Sequence, residues 1–180
     1  MINGSKWRPA ALTLTVLGAV VRLVPHPPNF APVGAASVFA GARLPVWQAY
    51  LIPLAVMLVT DPILAVVYGV APFTIYQVFI YTSFLISVWI GRKVRATESG
   101  LRIGAAVVLS SVQFFLISNL GSWVKDYPHT LAGLGSCYVA AIPFFERTLV
   151  SDLFFSAVLF GAYAILTRTV ASGERTPVTA

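Results

Sequence analysis

Six apolar runs, separated by short polar or proline-rich breaks, set the pattern of this chain. Residues 9–24, 30–43, 47–69, 73–91, 101–120 and 148–167 each read as a membrane-crossing helix. A helix needs roughly 20 apolar residues to cross the hydrocarbon core. From Leu44 to Gly91 the only charged side chain is Asp61, so that stretch alone holds two crossings. Pro25-His26-Pro27-Pro28-Asn29 ends the first run, because prolines remove donors and push their predecessors out of the α region. The second run is short for a crossing and rich in Gly and Ala, so it either tilts little or sits beside protein rather than lipid. Residues 130–145, also Gly- and Ala-rich, are expected as a partly re-entrant outer loop before the final run. The expected fold is an all-α integral membrane protein. Residues 1–180 form a single transmembrane domain, a compact bundle of about six helices that ends in a polar tail over 168–180.

Composition strengthens this picture. The chain is 58% hydrophobic and 10% charged, with a mean hydropathy of +0.84. Soluble domains average about 25% charged residues, and six crossings leave no room for a soluble domain. Arg22 near the far end of the first run, and the distance to Ala40-Gly41-Ala42, argue for a retained span rather than a cleaved signal peptide. The net charge is +6, and its placement matters more than its sum. With the N-terminus inside, Lys6, Arg8, Arg43, Arg92, Lys93, Arg95, Arg102, Arg168 and Arg175 are cytoplasmic, against Arg22, Lys125 and Arg147 outside. Nine against three fixes the orientation under the positive-inside rule, with both termini cytoplasmic. Basic residues at the ends of apolar runs, rather than on one solvated face, exclude nucleic acid as a partner and leave the lipid bilayer.

The densest chemistry lies between Ser118 and His129, which packs Asn119, Trp123, Lys125, Asp126, Tyr127 and His129 into twelve residues. It reads as the mouth of a binding site. Trp123 and Tyr127 also suit an ordinary interfacial belt, whereas an amide such as Asn119 inside an apolar run needs partners. Asp61 and Asp152 fall in apolar runs, each preceded by a hydroxyl residue. A mid-membrane carboxylate costs around 3 kcal/mol to insert, so each must face protein or water. It is then a substrate contact or proton site, or else a structural group that bonds the backbone of a broken helix or pairs with Arg22 or Arg147. His26 and His129 are either joint ligands of a metal or corrin-type ring or plain solvated residues. Cys137, the only cysteine, excludes an internal disulfide and has no adjacent base, so it reads as inert rather than nucleophilic. No serine elbow, zinc motif, P-loop or nucleotide fingerprint occurs. The chain is therefore expected not to be an enzyme and to carry no cofactor and no metal.

Ala11, Thr15 and Ala19 recur every four residues and lay a smooth stripe on the first helix, a docking surface for another helix or another subunit. There is also an internal echo. Asn29 and Asn119 lie 90 positions apart, and Asp61 and Asp152 lie 91 apart, a spacing that duplicated transporter halves would give.

One resemblance draws these features together. It is carried by Asn29-Phe30-Ala31-Pro32-Val33-Gly34-Ala35, Thr60-Asp61, Tyr127-Pro128 with Thr130-Leu131-Ala132-Gly133-Leu134, Cys137 to Phe145, and Thr148-Leu149 with Ser151-Asp152-Leu153. Over residues 10–168 the chain resembles a family of small uncharacterised bacterial membrane proteins, themselves similar to the substrate-binding S components of energy-coupling-factor (ECF) vitamin transporters. The resemblance implies a six-helix bundle in the bacterial inner membrane, with a pocket open to the outside and gated by the loop after the first span. It implies that Asn29, Phe30, Asn119, Trp123, Tyr127, His129 and Tyr138 surround a small vitamin-like ligand. It also implies that a transmembrane coupling subunit, with ATPase subunits, docks on the first-helix stripe, where Thr15 departs from the usual alanine. The expected function is micronutrient uptake. Two alternatives are a structural or assembly subunit without a ligand, and an intramembrane enzyme with Asp61 and Asp152 facing each other across a wet cavity.

Overall fold

Helix breakers in the sequence mark most element ends in the computed structural model, which describes residues 7–95 and 97–173. Lys6 and Arg175, both used in the charge count, lie outside the described residues, as does the rest of the tail from residue 174. Pro9 opens α1 (Arg8–Val20) in its first turn, where a missing N–H is no loss. One 3-10 turn, Val21–Leu23, leads into the prolines, and Asn29 turns the backbone with a φ of 62°. Then come α2 (Val33–Arg43) and α3 (Val46–Tyr68), the latter closed by Gly69 in the left-handed region. Helix α4 (Ile75–Lys93) begins with a reciprocal capping box between Thr74 and Gln77. Ser99 caps α5 (Gly100–Asp126), and α6 (Leu131–Gly173) completes the chain. No strand occurs among the described residues. Helices α3, α4, α5 and α6 are each long and apolar enough to cross a membrane. Large apolar side chains such as Val59, Val66, Leu101 and Leu109 point outward, as a lipid-facing exterior requires.

The short α2 sits at the centre and packs against all five other helices. Nine of its eleven residues are buried. Small residues allow this: a Cβ on Gly41 would strike the Val88 carbonyl of α4, and one on Gly91 would strike the Val38 carbonyl of α2. The two helices therefore touch backbone to backbone. At the end of α2, Arg43 donates to the carbonyls of Arg95 and Thr97 at 3.3 and 3.2 Å. Its guanidinium also lies over the rings of Phe160 and Tyr163 on α6. With Arg92 and Lys93 nearby in α4, this defines a basic end of the bundle.

Three expectations change here. The stripe Ala11, Thr15, Ala19 is fully buried inside the bundle, with neighbouring Gly18 against Ala36 of α2 and Leu159 of α6. It is taken up by the chain's own helices and offers no surface to a coupling subunit. Residues 130–145 form the first part of α6 rather than a re-entrant loop. Tyr138 donates to the Leu116 carbonyl at 2.6 Å and the Cys137 thiol to that of Asn119 at 3.3 Å, fastening this segment along α5. Pro143 lies inside the helix without ending it, since membrane helices re-satisfy the freed carbonyl locally. At 43 residues α6 is about 65 Å long, twice the hydrocarbon thickness of about 30 Å. The internal echo, finally, does not extend to architecture. Residues 10–68 hold three helices and a turn, whereas 105–168 run through two continuous helices.

Candidate functional site

Between the helices, on the side away from Arg43, lies a chamber of two abutting lobes with volumes of about 430 and 280 Å³. Asn29, Tyr76, Phe114 and Thr148 line both. The larger, outer lobe is walled by one face of α5 (Phe115, Ser118, Asn119, Ser122, Asp126) and one face of α6 (Cys137, Ala141, Phe144, Phe145). Steps of three and four residues put each set on a single helix face. Several polar atoms here await a partner. Ser118 is buried, yet its hydroxyl bonds nothing among the described residues. Asn119 donates from Nδ2 to the Phe115 carbonyl at 2.7 Å, which leaves its oxygen unused.

The inner lobe reaches two carboxylates. Arg22 Nη1 donates to Asp61 Oδ1 at 2.7 Å and to Thr60 Oγ1 at 3.1 Å, and Tyr81 donates to Asp61 Oδ2 at 2.6 Å. Both oxygens of Asp61 are thus held. Asp152, on α6, accepts from the Ala35 backbone N–H at 3.1 Å and from Ser111 Oγ at 2.7 Å. The physical reason lies at the start of α2. Its N-cap residue, Pro32, has no side-chain acceptor, so the exposed N–H groups recruit a carboxylate 117 positions away. Gly34 makes room, for a Cβ there would strike that carboxylate. Asp61 and Asp152 line the same lobe, yet neither bonds the other.

Of the residues expected around a ligand, Asn29, Asn119 and Tyr127 line the chamber. Phe30 does not; its ring packs on Phe154 and Phe155 of α6 at 6.2 and 5.7 Å. Trp123 and His129 hold the α5–α6 turn instead. Trp123 Nε1 donates to the Pro128 carbonyl at 2.9 Å, His129 Nε2 lies 3.0 Å from the Val124 carbonyl, and the two rings meet at 5.3 Å. Tyr138 stacks edge-on against Phe115 at 5.6 Å, supporting the wall from behind. His26 is engaged by its own turn, within 3.1 Å of the Arg22 and Pro27 carbonyls. Among the described residues no three His, Cys, Asp or Glu side chains gather as a metal site would need. Sequence reasoning missed Tyr76, Phe114, Phe144 and Phe145. The stripe on α5 was visible at its 3–4 residue spacing, and the one on α6 was hidden by reading 130–145 as a loop.

The arrangement defines a class: a protein all-helical among its described residues, with four membrane-length helices around a chamber of rings, amides and hydroxyls. Within that class the chain belongs to DUF6580, a family of unknown function, whose pattern matches residues 4–175. No curated protein and no solved structure matches the chain.

Proposed function

We propose that this chain is a membrane transport protein that takes a small, vitamin-like organic micronutrient into its chamber from the outer side, in the manner of an ECF S component. The observation that supports this reading is the chamber itself. In a bundle with an apolar exterior, a cavity of about 430 Å³ keeps unpartnered amide and hydroxyl atoms beside aromatic faces, the mix that small-molecule sites present. The positive-inside count puts the basic end in the cytoplasm and the chamber on the outer side of the bacterial inner membrane. Energy would come from ATPase subunits acting through a coupling subunit. With the first-helix stripe buried, that subunit would meet another face.

Native mass spectrometry of protein purified from its own host should show a retained small molecule. Asn119→Ala with Tyr127→Ala should weaken its retention at least about ten-fold, roughly one hydrogen bond and one ring contact. Trp123→Phe, outside the chamber, should change retention less than about two-fold. Retention unaffected by the double substitution would remove this site assignment.

A further inference from the structure

The chain is basic overall, but its chamber is not. Among the described residues, only Arg22 of the ten Lys and Arg side chains lines it, whereas three of the five acidic side chains do: Asp61, Asp126 and Asp152. Arg22 is matched by Asp61 at 2.7 Å, so the only cation on the wall is already paired. Asp152 has hydrogen-bond donors but no cationic partner among the described residues. In the outer lobe Asp126 is the single charged lining residue, and six of the fifteen lining residues are aromatic. Aromatic faces carry negative potential and attract cations, the more so where water is excluded. Ser118 lines the same lobe, and its hydroxyl bonds nothing among the described residues, which leaves it available to a guest.

From this charge distribution we infer that the chamber takes an organic cation: a flat or compact molecule bearing a permanently charged or protonated nitrogen. The inference rests on the chamber being the ligand site. The positive nitrogen sits among Phe115, Phe144, Phe145 and Tyr127, with Asp126 at the rim as counter-ion, and the unused Asn119 oxygen and Ser118 hydroxyl orient its polar edge. An anionic ligand would meet carboxylates and ring faces, with no free cation to offset the loss of its hydration. Lys125 touches Asp126 at 2.9 Å, but that pair is solvent-exposed and Lys125 itself does not line the lobe. Exposed pairs of this kind hold weakly, so an incoming cation displaces the ammonium.

Calorimetric titration of the full chain in lipid nanodiscs with three probes of similar size tests this. The probes are phenyltrimethylammonium, neutral 2-phenyl-2-propanol and anionic benzenesulfonate. The cation should bind at least ten-fold more tightly than the alcohol, and the sulfonate most weakly. Asp126→Asn should weaken the cation about five-fold and leave the alcohol unchanged, while Lys125→Gln should tighten the cation. Equal binding of cation and alcohol, or tightest binding of the sulfonate, overturns the charge assignment and leaves the chamber as a ligand site. No binding of any of the three removes the ligand-site reading and this inference together.

Discussion

Gly41→Leu should unfold the centre of the bundle, lowering stability by about 3 kcal/mol or more. Overpacking a core usually costs about 1–3 kcal/mol because side chains and backbone shift to make room. At Gly41 there is little to shift, since the obstacle is the Val88 carbonyl and the Arg92 amide of α4 rather than a side-chain tip. The two helices would have to separate, and α2 would lose contact with the surface that buries it. Gly91→Leu should do the same from the other side, against Val38. The control is Gly104→Ala, on the same bundle but with open space around it, which should be neutral or stabilising by up to about 1 kcal/mol. Thermal or SDS unfolding midpoints of the purified variants read this out. Equal midpoints for Gly41→Leu and Gly104→Ala would show that α2 and α4 do not meet at their glycines.

The second large effect concerns the pair at the inner lobe. Removing one partner of a buried ion pair is strongly destabilising, about 3–5 kcal/mol, while replacing both with apolar residues is often close to neutral. Arg22→Met strips Asp61 of its charged partner and leaves only the Tyr81 hydroxyl on that carboxylate. Asp61→Leu leaves a guanidinium facing Met57 and Thr60. Each single variant should therefore lose several kcal/mol, and Arg22→Met with Asp61→Leu should recover most of that loss. Additive losses in the unfolding midpoints would mean that the two side chains stabilise the fold independently.

How much of this was readable beforehand differs between fold and site. The long runs were legible because apolar length and helix breakers are local properties. The run at 47–69 became Val46–Tyr68, and that at 73–91 became Ile75–Lys93. The first part of α6 was not, because Pro143 and a Gly- and Ala-rich composition look like a loop until α5 is there to bond it. Among the site residues, Asn119 and Tyr127 stood out in the polar stretch between apolar runs, and Asn29 came with the family resemblance. Trp123 and His129 belong to the same polar stretch, and Phe30 and Tyr138 came with the family resemblance, but their rings and donors serve packing and the α5–α6 turn. Neighbourhood in sequence showed which end of the helices holds the chemistry. Only the helix faces separate the groups that look into the chamber from those that brace it.

Helix α2 has one more consequence, for biogenesis. Eleven residues rise only about 16 Å, too little to enter a bilayer as an independent stem. Its first turn also stays uncapped until Asp152 arrives, and Asp152 is translated more than a hundred residues later. During synthesis this segment must therefore wait, either at the bilayer surface or shielded by the insertion machinery. Assembly closes only when the last helix leaves the ribosome. A nascent chain arrested before residue 152 should remain open to protease near the Pro25–Pro32 loop, and release of the full chain should protect it.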